Sequence, residues 1–155
     1  MIFVDSSVFL KHFLEGDKRV LKFLEENQGD LVTCDIVVNE VVYVLMKQYI
    51  MNKYNLKHYD AIEAMKEEEM FREAFEAAKV FFVVLNAIGC DVIPNARYTS
   101  MVKCMEKFSL LPNDALIVAT CIDHGIRKIA TLTLPLFYLN QSKILFFLRI
   151  QRFFS

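Results

Sequence analysis

Met1-Ile2-Phe3-Val4-Asp5-Ser6-Ser7 runs from four apolar residues straight into an acid and two hydroxyls. Ile2 to Val4 reads as a short buried strand, although periodicity alone does not separate such a run from a buried helix. Asp5 then stands where the strand ends, and open α/β sheets bind ligands at the carboxyl ends of their strands. A carboxylate there is costly to bury unless it is paired or holds a metal. Asp5 is equally suited to cap a helix over Ser6–Leu14. What separates the two readings is whether other reactive groups arrive at the same place.

Further along, strand and helix signals alternate. Asp17 caps a helix over Lys18–Asn27, with Val20, Leu21 and Leu24 on one face and Gly29 at its end. Leu31–Cys34 reads as a second strand. Asp35 then caps a helix from Ile36 to about Met51, rich enough in Val and Leu to be largely buried. Glu40 lies in the second turn of that helix, where no cap needs it, and a lone Glu on such a helix can also simply reach solvent. Asp60-Ala61-Ile62-Glu63 has the form of a capping box. It opens a helical insertion around residues 60–88 that stops at Gly89.

Asp91–Ile93 is a third strand, halted by Pro94. Asn95 caps a helix to about Phe108, with Met101, Val102 and Met105 inward. Asn113 caps another helix, whose first turn holds Asp114, a position where a carboxylate also complements the helix dipole. Ile126–Leu132 is a fourth strand. Ile144–Leu148 is a candidate last strand within a tail, residues 134–155, that contains no acid.

Composition sets the outer bounds. A chain of 155 residues is expected to form one domain, 1–155, burying roughly 70% of its unfolded surface. Apolar residues make up 55% and charged residues 24%, which excludes a disordered chain. The net charge of −1 provides no global basic field, so nucleic-acid binding would need a local patch or a metal. The four cysteines are scattered with no C-x-x-C pair, which argues against a zinc site. With no signal peptide, they point to reduced thiols in the cytoplasm. The longest apolar run, Val80–Leu85, is far too short for a membrane span. No glycine-rich phosphate loop is present, so a nucleotide cofactor is not expected. His12, His58 and His124 stand in no ligand or triad spacing and read as ordinary histidines.

The alternation implies an α/β fold with a mainly parallel sheet and helices on both faces. Asp5, Glu40 and Asp114 then fall after strand one, in the helix after strand two and in the helix before strand four. Each has an ordinary structural role when taken alone. Together they are three acids that a parallel sheet can bring to one edge.

At this point the chain resembles the PIN-domain ribonucleases, and among them the VapC-like toxins of toxin–antitoxin pairs. The matching pieces are Ile2-Phe3-Val4-Asp5-Ser6-Ser7-Val8, the helix with Glu40, Pro112-Asn113-Asp114-Ala115-Leu116-Ile117-Val118-Ala119, and His124-Gly125-Ile126-Arg127-Lys128-Ile129-Ala130-Thr131. They occur in family order over residues 1 to about 133. The resemblance implies a three-layer α/β/α fold and a metal-dependent hydrolysis of RNA that leaves 5′-phosphate and 3′-hydroxyl ends. Asp5 and Asp114 would be ligands of Mg²⁺ or Mn²⁺, with Glu40 holding a metal-bound water or acting as base. Ser7, Thr131 and Thr133 would support them. The implied partners are RNA, a cognate antitoxin and a second copy of the chain in a homodimer, with no membrane. One departure stands out. Thr133 occupies the place where the family usually has a fourth acid, and no acid follows it. The alternative is therefore a PIN-like domain with impaired catalysis, acting as a protein- or RNA-binding module. A phosphoacceptor receiver fits poorly, because Asp91 begins its strand instead of ending it.

Overall fold

The computed structural model describes residues 1–132 and the backbone of residues 146–149. Four strands lie in the first part: β1 (Ile2–Val4), β2 (Leu31–Cys34), β3 (Asp91–Ile93) and β4 (Lys128–Thr131). The backbone of β5 (Phe146–Arg149) adds a fifth, two residues later than the expected Ile144 start. All neighbours are parallel, in the order β3-β2-β1-β4-β5. The chain therefore moves outward from β1 through β2 to β3, then crosses back and lays β4 on the free side of β1. The order reverses between β1 and β4, and in such sheets that crevice is where ligands bind. The rest of the apolar tail, 134–155, and Thr133 lie outside the described residues.

Helices flank this sheet: α1 (Ser6–Glu15), α2 (Lys18–Glu26), α3 (Asp35–Tyr54), α4 (His58–Ala64), α5 (Glu68–Ala78), α6 (Val80–Ala87), α7 (Tyr98–Phe108) and α8 (Pro112–Asp123). None among the described residues is long and apolar enough to cross a membrane. β1 is buried on every residue, as expected of a central strand covered on both faces. Around it lie Val8 and Phe9 of α1, Leu24 of α2, Val37 and Val41 of α3, and Phe81 of α6. Phe9 meets Phe81 edge to face, with ring centroids 5.1 Å apart. Each such side chain contributes roughly 1.5–3 kcal/mol on burial.

α3 is 20 residues long and does two jobs. Its first half packs on the sheet. Its second half, through Met46 and Ile50, joins Ala61, Met65, Ala74 and Ala78 of the insertion in a separate small core. The insertion is thus three helices, not one continuous helix or hairpin. α4 and α5 attach to the end of α3, while α6 returns to the main core through Phe81 and Leu85.

Several local expectations shift. In α2, Phe23 turns inward with Val20 and Leu24, at i, i+3 and i+4, and Leu21 is exposed. In α7, Cys104 is buried and Val102 is exposed. Cys34, not Asp35, occupies the cap position of α3, and α4 starts at His58, ahead of Asp60. α7 starts at Tyr98, three residues beyond Asn95. Leu111 takes the cap position of α8, because Pro112 suits the first helical residue and has no amide hydrogen to satisfy. α3 is less buried than its composition suggests, since only Val37, Val41, Met46 and Ile50 are fully enclosed.

Candidate active site

Asp5 sits at the exit of β1 with extended backbone, and its amide still donates to Ala130 O of β4 at 3.0 Å. Its carboxylate makes no capping bond to α1. Oδ2 instead accepts from Ser7 Oγ at 2.6 Å and from Thr131 Oγ1 at 2.8 Å. Among the described residues, Oδ1 has only Ser6 Oγ, at a long 3.5 Å. Each hydroxyl has a single proton, so the 3.3 Å approach of Ser7 Oγ to Thr131 Oγ1 is a consequence of sharing Oδ2. Ser7 Oγ in turn accepts from Leu132 N at 3.0 Å. The ends of β1 and β4 and the first turn of α1 are tied together through one carboxylate oxygen, and the described residues leave the other largely uncommitted.

Asp114 lies in the first turn of α8, half-buried. Burial pushes its carboxyl above the ordinary value, and the negative charge of Asp5 pushes it further. Glu40, in the second turn of α3, is also half-buried. Asp5, Ser7, Glu40 and Asp114 line one open cleft of about 550 Å³. Leu10, Leu111, Pro112 and Ile117 form its apolar walls. The described residues that line it include three acids but no Lys, Arg, His or Cys. No group of three or more acid, His or Cys side chains among the described residues is gathered tightly enough to hold an ion alone. Any cation held here would rest on one or two carboxylates and keep much of its water, which is the habit of Mg²⁺.

Thr131 is buried at the end of β4, as its place in the sequence suggested, and Thr133 is not among the described residues. Asn113, expected as a helix cap, lies on the cleft instead. Leu10 and Ile117 were missed. Each stands three residues after a polar cleft residue on the same helix, Ser7 and Asp114, and that spacing puts them on the same face. None of the histidines lines the cleft; the His124 ring faces Pro94 O at 3.2 Å.

A family model described as "PIN domain" matches residues 2–132. Ribonuclease VapC2 of Methanocaldococcus jannaschii is 27% identical over 135 residues, covering 84% of this chain and 83% of its own. Ribonuclease VapC6 of the same organism is 28% identical over 138 residues, covering 84% and 86%. A chain from a structure titled "Toxin-antitoxin complex from Klebsiella pneumoniae" aligns with a TM-score of 0.57 over 97% of this chain and 98% of its own. Its sequence identity is 15%, so that likeness concerns the fold.

Proposed function

The chain belongs to the PIN-domain family and is VapC-like within it, and from that premise we propose that it is a metal-dependent endoribonuclease, the toxin of a toxin–antitoxin pair. The observation that carries the reading is the cleft shared by Asp5, Glu40 and Asp114, with no cation among its described lining residues. A polyanionic RNA does not enter a site of three carboxylates unless positive charge is supplied. Hard oxygen donors suit Mg²⁺ or Mn²⁺, and burial, with the nearby charge of Asp5, raises the Asp114 carboxyl, which a bound cation would offset.

Asp5 and Asp114 would hold the ion. When bound, it supplies the charge that neutralises the phosphodiester and favours attack at phosphorus. Ser7 and Thr131 fix the rotamer of Asp5 by occupying Oδ2, which leaves Oδ1 for the ion. Glu40 accepts a proton from the attacking water. The water oxygen bonds to phosphorus, the bond to the 3′ oxygen breaks, and that oxygen takes up a proton from solvent water in the open cleft, giving 5′-phosphate and 3′-hydroxyl ends. The reading also includes a single domain over residues 1–155, a cytoplasmic setting, a cognate antitoxin that closes the acidic cleft with a basic side chain, and a homodimer. Exposed Phe71, Val80, Phe82 and Val83 on α5 and α6 offer apolar surface for such contacts.

Asp5→Asn tests the mechanism, because it keeps the shape and removes the charge. Mn²⁺-dependent cleavage of single-stranded RNA should fall by more than about 100-fold with the melting temperature little changed, and EDTA should abolish cleavage by the parent. The second reading, a binding module with impaired catalysis, is favoured by Thr133 in place of an acid. It would be supported by a parent that binds RNA or protein yet cleaves nothing with either metal.

A further inference from the structure

Glu40 is carried by a helix whose first turn lacks a local side-chain cap. Cys34 holds the cap position with its thiol against the Ile36 and Val37 amides, and Asp35 is exposed. A thiol is a weak acceptor in any case. The Ile36 amide instead donates to Asn95 Oδ1 at 3.2 Å, across 59 residues of sequence. Asn95 belongs to the loop that leaves β3, and that loop is held on its other side as well. Ala96 N donates to Thr120 Oγ1 at 3.0 Å, and the Thr120 hydroxyl donates back to Leu116 O at 2.7 Å. Pro94 O faces the His124 ring, just beyond the end of α8. The loop at Pro94–Ala96 therefore spans from the start of α3, which bears Glu40, to α8, which bears Asp114.

Ile36 and Glu40 are four residues apart, one turn above the other on the same side of α3. A shift of the first turn moves Glu40 with it. We infer that the Pro94–Ala96 loop is a brace that sets the position of Glu40 relative to Asp114, and that Asn95 is a positioning residue of the cleft, acting through Glu40 without touching RNA. The inference rests on the proposed role of Glu40. It goes beyond that role by naming what holds it, a residue whose sequence context suggests only a cap for α7.

The test uses the full chain with Mn²⁺ and a single-stranded RNA, and follows the Ile36 amide by NMR hydrogen exchange. Asn95→Ala should strip protection from the Ile36 amide. It should lower kcat roughly 10–100-fold with KM within about twofold, the cost typical of losing a group that orients a catalytic side chain. Asn95→Asp keeps an acceptor oxygen and should restore both. Asp17→Ala, which removes the side-chain cap of α2 away from the cleft, controls for lost stability and should leave kcat within about twofold of the parent. An unchanged Ile36 amide overturns the brace. Lost protection with unchanged kcat, or an equal fall in Asp17→Ala, reduces Asn95 to a structural cap and overturns the positioning role. A parent that cleaves no RNA overturns the proposed function and the role of Glu40 with it, while the exchange measurement still reports separately on the brace.

Discussion

Asp114 and Glu73 are both half-buried helix carboxylates, and their surroundings push them in opposite directions. Glu73, on α5, accepts from Lys53 Nζ at 2.6 Å and from Tyr54 OH at 2.7 Å, and these bonds hold its carboxyl below the ordinary value. Lys53 lies over the Tyr49 and Tyr54 rings and is itself pushed up by Glu73. That cluster is closed, because each charge has its partner within the chain and the product is a clamp between α3 and α5. Asp114 has the reverse surroundings: burial, and a second carboxylate in Asp5. The two regions share helix α3, so the same element ends in a satisfied network and begins beside one that the described residues leave unsatisfied. Charge compensated internally stabilises a contact. Charge left uncompensated in an open cleft marks where something else must bring the opposite sign.

The largest stability effect expected is in the small core. Ile50→Ala empties a fully buried site on α3 and should cost about 2–5 kcal/mol in urea denaturation. Cleavage per folded molecule should stay at the parent level. A fall in that ratio would show that the α4–α5 region and the cleft are coupled through α3, and the contrast between them would blur.

A smaller effect of opposite sign is expected at the cleft. The carboxyl of Asp114 is raised above 3.8, so the folded state keeps its proton where the unfolded state has released it. Stability is therefore lost as pH rises from the unfolded value through the folded one. Asparagine does not titrate. In EDTA at pH 7, Asp114→Asn should melt above the parent, with the gap closing as pH is lowered toward about 4. Mn²⁺ should raise the melting temperature of the parent more than that of the variant. Equal melting of the two proteins at both pH values would mean that the cleft is not strained by its own charge.

The smallest effect is expected at Glu73→Gln. The lowered carboxyl contributes stability above 4.5 that is lost as pH falls through the folded value, the reverse of Asp114. The pair with Lys53 is accessible to solvent, so the melting temperature should drop only slightly, and less in high salt than in low salt. A large, salt-independent drop would make the clamp a buried ion pair in its energetics and would sharpen its contrast with the cleft.

The local signals in the chain were sufficient for the first four strands, for most helices outside the insertion and for singling out the acids. Short apolar runs gave the strands, and Gly and Pro gave most of the breaks. Asp5 and Asp114 could be singled out as acids at the edge of an apolar pattern, and Glu40 as an acid in the middle of one. Such patterns are periodic and short-range, so they report burial and little else. They did not reveal that the insertion divides between two cores, since Phe81, Ala78 and Ala74 are equally apolar and only packing assigns them to different neighbours.

What the tertiary structure decided is which unsatisfied group each polar side chain meets. The sequence left Asp5 free to cap α1; β4, laid beside β1, brings Thr131 to its carboxylate across 126 positions instead. Asn95 precedes α7 in the sequence but serves α3 in space. Hydrogen-bonding side chains take the partner nearest in space, and that partner is fixed by how distant apolar faces pack. The sequence by itself determined the first four strands, most of the helices outside the insertion and which three acids stand out. The order of the strands, the sharing of one cleft and the hydrogen bond from Ile36 to Asn95 were settled only by the folded chain, because each depends on contacts between segments that no local pattern connects.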